Sequence, residues 1–453
     1  MNREDRSLLE RALSCADPAE IWRILTPLRP RIVEDVEIAE TWMTLLEATP
    51  SHPHLRDDVK AAVWAFPASL DVILAAGRAL LRADEQRGPD EPVPSESPAL
   101  EAWRLSEEAR NRFEAPRDQA ALLALRGNAE RRLGASHDAA AVASFEASLK
   151  LDASDGHVWF DCGLCHKWAG RFRAAWLAFR RAEERLGPTR PVLFNRAIAA
   201  TASGEVRDAV EAWQRAGIEA IGREGSLPYV EGLGNITVRV PTRGTGHLAG
   251  ASVPDESIAF EELGVAMLSP CHGVVRTPSF RSAVIDFGDV VLIDPAPVVR
   301  GEKPVFPLLH ILNPGTEQRF RFLALEQDAD EVRKMGDALP EGCVWYIYQT
   351  AVDRVCPRCA AGETLTKHAH EAPIERRSVS GKLVVPAEVP LDAVANALAA
   401  ARKPGVLFAI PTLHEARRDT AEAGRQHKTW GVIERGLLAT LRGEPSTDSP
   451  PDA

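Results

Sequence analysis

Two turn glycines, Gly170 and Gly204, stand one period of about 34 residues apart, and the residues around them match in kind and offset. Around the first stand Trp159, Phe160, Cys162, Gly163, His166, Phe172, Ala175, Phe179, Ala182 and Pro188. Around the second stand Phe194, Ala197, Val206, Ala209, Trp213 and Ala216. An earlier unit carries Leu123, Gly127, Leu133, Gly134, Phe145 and Leu149, with a turn longer by about two residues. A glycine at each turn takes the positive φ that ends a helix. A small residue within each first helix (Gly127, Gly163, Ala197) lets the paired axes approach to about 8–10 Å. Such a hairpin cannot bury its apolar stripe alone, so its neighbours must stack on it.

These residues resemble the tetratricopeptide repeat (TPR) family over about residues 120–220, with degenerate repeats upstream. The resemblance implies a superhelix of antiparallel helix pairs whose first helices line a concave groove, and a protein-protein interaction scaffold or adaptor that takes a peptide or partner helix there. Carrying the family's groove positions across selects Asn128, Arg131 and Arg132, then His157, Phe160, Leu164, Lys167 and Trp168, then Phe194, Asn195 and Ile198. Cations and aromatics alternating with amides suit a peptide with carboxylates and an apolar anchor. The alternative is ordinary solvated helix surface, with Trp168 packed on the neighbouring unit.

Upstream, residues 1–118 keep helical periodicity through Leu8, Leu9, Leu13, Ile21, Trp22, Leu25, Ile38, Trp42, Leu45 and Leu46, and on through Val59, Val63, Ile73, Leu74, Leu80 and Leu81. Gly77 resembles the small position of another repeat. Arg87 to Pro94 is proline-rich and acidic, which fits an extruded loop. With 54 basic against 65 acidic side chains the formal charge is -11, which disfavours nucleic acid as a partner. No run of about 18 uncharged apolar residues occurs and the first residues do not resemble a signal peptide, so a soluble, cytoplasmic protein without membrane contact is expected.

Three strings mimic chemical motifs. Cys162-Gly163-Leu164-Cys165-His166 spells a haem attachment site, yet its members occupy repeat packing positions, so packed thiols and no haem are expected. Asp286-Phe287-Gly288 lacks the phosphate and catalytic loops of a kinase and reads as a turn between Ser282–Ile285 and Val290–Ile293. Gly381-Lys382 and Arg243-Gly244-Thr245-Gly246-His247 lack the remaining residues of nucleotide fingerprints, so no nucleotide is expected.

Beyond residue 222 the texture becomes β-rich. Residues 225–315 read as a β-rich subdomain and 316–435 as an α+β subdomain, with 436–453 as a disordered tail. In the α+β part the order strand, helix, strand occurs twice (320–325, 329–339, 343–348; 382–385, 391–402, 406–410), which suggests a ferredoxin-like sandwich. The chain is thus expected to be multidomain: an all-α TPR-like superhelix, then a β-rich and α+β half.

Between the two strand-helix-strand units lie Cys356-Pro357-Arg358-Cys359 and His368-Ala369-His370. Two thiolates from one turn and two imidazoles from one extended stretch supply four donors for a tetrahedral zinc, so these residues are candidate structural zinc ligands. Four thiols and rings without metal is the alternative. Cys271-His272 is a tempting nucleophile and base, but adjacent residues on a strand face opposite ways. No catalytic residue is assigned; an enzyme or effector domain in the C-terminal half, recruited or regulated by the repeats, is the rival reading.

Overall fold

The computed structural model describes every residue except 1–2, 16, 86–95, 223–224, 242–259, 280–283, 362, 364–367, 370 and 443–453. The Arg87 to Pro94 loop, His247 and His370 fall outside the described residues, as do Ser282 and the end of the expected tail. The chain divides into two compact units: Met1–Leu233 with Ser252–Ser257 and Leu268–Cys271, and Gly234–Ala251 with Ile258–Met267 and His272–Ala453.

The first unit is helical. Upstream lie α1 (Arg3–Leu13), α2 (Pro18–Leu25), a 3-10 segment Thr26–Val33, α3 (Val36–Ala48), α4 (Leu55–Ala65), α5 (Leu70–Asp84) and α6 (Pro98–Arg110). Three hairpins follow: α7 (Pro116–Arg132) with α8 (Asp138–Leu151), α9 (Gly156–Trp168) with α10 (Phe172–Leu186), and α11 (Arg190–Ala202) with α12 (Val206–Arg215). The turns of the second and third hairpins are near copies. Gly170 (φ 71°) and Gly204 (φ 75°) are both left-handed, and one residue later the Arg171 and Glu205 amides reach back to His166 O (2.8 Å) and Ala200 O (2.9 Å). That five-residue return bond marks a Schellman C-cap, built only if the preceding residue reverses its φ.

Close approach explains the other spacing that recurs between the hairpins. A Cβ on Gly163 would stand 2.6 Å from Phe179 Cε1, and one on Gly127 would stand 2.9 Å from Phe145 Cε1. Each glycine seats the ring of its own hairpin's second helix. Gly77 differs: its missing Cβ makes room for Leu125 of α7, so it brings α5 against α7 rather than serving within one hairpin. Upstream, the indole N–H of buried Trp42 donates to Asp58 (3.0 Å), whose carboxylate also pairs with Arg29 at 2.8 Å.

The second unit opens with a closed barrel of β1 (Asn235–Pro241), β2 (Phe260–Ser269), β3 (His272–Val275), β4 (Val290–Ile293) and β5 (Val305–Asn313), adjacent in that order. An odd number of strands running alternately up and down must close with one parallel pair, and β1 with β5 is that pair. Alternation along β1 turns Val238 and Val240 inward onto Leu263, Val265, Val275, Val291 and Ile293. The Asp286-Phe287-Gly288 segment is a turn leading into β4, with Gly288 at φ 89°; Val284 and Ile285 before it are not strand.

A four-stranded antiparallel sheet follows in the order β7-β8-β6-β9, from β6 (Gln318–Glu326), β7 (Val344–Val355), β8 (Ile374–Val385) and β9 (Leu407–Ala409). Helices α13 (Glu331–Gly336) and α15 (Leu391–Ala401) cover the face of Phe320, Phe322, Ala324 and Leu383. The opposite face, Leu323, Leu325, Leu407 and Ala409, packs on Cys356, Cys359 and Ile433. Cys356 stands at the N-cap of the short helix α14 (Pro357–Ala360) and Cys359 lies within it; α16 (Pro411–Ala416) and α17 (Thr420–Arg442) end the described chain. Helix α17 corrects the sequence expectation that the tail begins at 436. Its apolar residues, Trp430 and Ile433 among them, are interrupted by Gly424 and Gly431 and dispersed among charges, so no strong stripe announces it.

Candidate functional site

The candidate groove is built from α7, α9 and α11, the first helices of the three hairpins. Helix α9 starts because the Asp155 carboxylate accepts from the His157 amide at 2.8 Å. From that fixed start, His157, Phe160, Leu164 and Trp168 follow at helical spacing along one stripe. His157 and Trp168 are exposed, Trp168 at 51%, while Phe160 and Leu164 are half-buried. Phe194 of α11 is half-buried with its ring 5.0 Å from that of Trp213.

Polar bonds tie the three helices together across this face. Asn128 of α7 donates to Asp161 of α9 at 3.1 Å, and Arg131 lies 3.7 Å from the same carboxylate. Lys167 of α9 is buried at 3% exposure and donates to Asn195 Oδ1 of α11 at 2.7 Å, with its ammonium 5.4 Å from the Trp168 ring centroid. Arg132 pairs with Glu85, and burial holds its guanidinium below its ordinary pKa. The cations selected from sequence are therefore engaged within the protein, and what faces outward is mostly aromatic and apolar. Asp161 is a member of this set that sequence reading missed; it stands at the same repeat offset as Asn195, and that equivalence was the available signal.

At the α11 end the chain covers itself. Ile198 is 1% exposed and Thr201, one turn on, is equally buried. The Cys271 thiol lies 3.8 Å from Thr201 Oγ1, and Leu268–Cys271 groups with the helical unit. Ile198 thus belongs to packing, and the accessible stripe runs along α9 with Phe194 at its margin.

The haem-like string sits inside α9. Cys162 and Cys165 are buried, and burial pushes both thiols up to about 12, which keeps them protonated and unreactive. His166 is held below its ordinary pKa by burial and then by Arg171, whose Nε donates to His166 Nδ1 at 3.0 Å.

No family model and no curated protein matches this chain. Among solved structures it is similar to MamA, at 13% identity and a TM-score of 0.29, over 36% of this chain and 86% of that one. It is also similar to YrrB, a TPR protein with an unusual peptide-binding site, at 17% identity and a TM-score of 0.28, over 41% and 89% of the two chains. The APC/C hetero-tetramer Cut9-Hcn1 is similar at 13% identity and a TM-score of 0.32, over 48% and 39%. The TPR character of the three hairpins rests on this chain's own period, turns and glycine contacts.

The second unit brings together residues that the sequence kept far apart. Buried Lys382 donates to Asp286 Oδ2 at 2.5 Å and to Ser279 Oγ at 3.0 Å, while the Tyr348 hydroxyl donates to Ser279 O. Burial lowers the Lys382 ammonium pKa and raises that of the Tyr348 phenol. A serine beside a lysine is the geometry of an activated nucleophile, but both side chains are almost wholly enclosed, at 2% and 5% exposure. Cys271 and His272 are fully buried, and the Cys271 thiol lies 3.6 Å from Ser269 Oγ and 3.8 Å from Thr201 Oγ1. No helix among the described residues is long and apolar enough to cross a membrane.

Cys356, Cys359 and His368 do converge. The ring Nε2 lies 3.7 Å from Cys356 Sγ and 3.3 Å from Cys359 Sγ.

Proposed function

We propose that this protein is an interaction scaffold whose helical unit takes a peptide or a partner helix along α9, between α7 and α11. The observation that carries this reading is the stripe His157, Phe160, Leu164 and Trp168, whose largest member keeps half its surface in water although apolar neighbours flank it. An aromatic side chain held on a rigid helix loses little entropy on binding and contributes disproportionately to an interface. Because Arg131, Arg132 and Lys167 already have partners, an apolar or aromatic anchor on the ligand contributes more than carboxylates do. The rest of the chain fits this role: the second sheet is read as a ferredoxin-like sandwich, and seven cysteines without a disulfide suit a reducing cytoplasm.

A photo-crosslinking residue placed at His157 of the full chain is expected to capture a protein partner in cells, whereas the same residue at exposed Glu184, on the second helix α10, is not. Equal capture from both positions, or from Glu184 alone, contradicts the groove as the docking face.

A further inference from the structure

We propose that Cys356, Cys359 and His368 bind one zinc ion, which clasps the long connection between β7 and β8. The two strands pair to their ends, with Val355 opposite Ile374, so residues 356–373 leave the sheet and return to the same point. A connection beyond about 12–15 residues inside a compact domain needs something to order it. The first turn of this one does so locally: the Ala360 amide bonds Cys356 O at 2.9 Å, which sets Cys356 and Cys359 on one side of α14.

The geometry then points to a single centre. One donor atom from each of the three residues lies within 4.8 Å of the others. A tetrahedral zinc with Zn–S near 2.3 Å and Zn–N near 2.0–2.1 Å puts sulfur and nitrogen about 3.5 Å apart. The two observed separations, 3.3 and 3.7 Å, bracket that edge. The Glu371 amide also donates to Cys356 Sγ at 3.4 Å, the kind of outer contact that stabilises a metal-bound thiolate. Two thiolates with an imidazole select zinc over magnesium or calcium. His370, chosen from sequence as a fourth ligand, lies outside the described residues, and the proposal stands on the other three.

Apolar packing accounts for the two thiols, which lie against Leu323, Leu325 and Ile433, but not for a ring brought from the far side of the connection to face both sulfurs. A metal supplies the reason and ties loop, sheet and α17 together.

The full chain, purified without chelator and desalted after exposure to zinc chloride, is expected to carry about one zinc by elemental analysis. Cys359→Ser and His368→Ala should each weaken retention roughly tenfold or more, while Cys343→Ser, outside the cluster, keeps the metal. Should the ligand variants fail to fold, cobalt exchanged into the wild type decides the matter: a thiolate-to-cobalt charge-transfer band supports the site. A wild type without zinc, full zinc in a folded Cys359→Ser, or bound cobalt without that band overturns it.

Discussion

Cys271 Sγ lies 3.8 Å from Thr201 Oγ1, so the turn that carries Cys271 packs on α11. On the proposed reading, ligand contacts are expected along α9. Substituting Phe160 by Ala should weaken partner capture at least tenfold, about 1.4 kcal/mol, whereas Thr201→Ser leaves it unchanged. Isothermal titration with a partner captured at His157 checks the pair of variants, and a larger loss at Thr201 than at Phe160 contradicts the assignment.

Gly163 is required by packing rather than by backbone conformation. An added methyl meets the Phe179 ring at 2.6 Å, and overpacking costs about 1–3 kcal/mol. Alanine's better helix propensity returns up to about 1 kcal/mol. Gly163→Ala is therefore expected to lower stability by up to about 2 kcal/mol in urea melts, the opposite of its effect on an exposed helix.

The third hairpin is locked by Arg196, buried at 6% exposure, which bonds Asp208 at 2.5 and 2.9 Å and Glu183 at 2.7 Å. Removing one partner of a buried pair costs about 3–5 kcal/mol, and the lower end applies here because Glu183 keeps Arg215 at 2.5 Å and Asp208 keeps the Trp176 indole N–H at 2.6 Å. Arg196→Ala should show a loss of that order in denaturant unfolding; a loss below about 1 kcal/mol would show that the carboxylates find other partners.

His272 is fully buried, and burial pushes its pKa down to about 4 from 6.5. The unfolded chain binds this proton more readily, so the contribution is full above about pH 6.5 and fades as pH falls toward 4. The difference amounts to about 3 kcal/mol. Stability curves of wild type and His272→Gln should converge toward acid pH by that amount; parallel curves between pH about 6.5 and 4 would show that the ring takes up its proton equally in the folded and unfolded states.

The repeat was legible because it is written in local rules: Gly170 and Gly204 reverse the chain, and Gly163 admits Phe179. The strand-helix-strand order of 320–410 was legible for the same reason, since β6 to β9 each carry their own apolar run. What escaped depends on distant partners. Nothing near Lys382 reveals that Asp286 and Ser279 will meet it, and nothing near Thr201 announces Cys271. The short Cys356-x-x-Cys359 turn was visible, whereas the return of His368 to within 3.3 Å of Cys359 is a product of the hairpin's closure.

The central claim is tested most directly by measuring how peptides selected from a random library bind the immobilised full chain. Peptides carrying an aromatic or aliphatic anchor are expected. Trp168→Ala should weaken them roughly tenfold or more, while Trp64→Ala, at a still more exposed tryptophan outside the three hairpins, leaves affinity unchanged. A Trp168→Ala protein with wild-type circular dichroism and undiminished affinity would contradict the account.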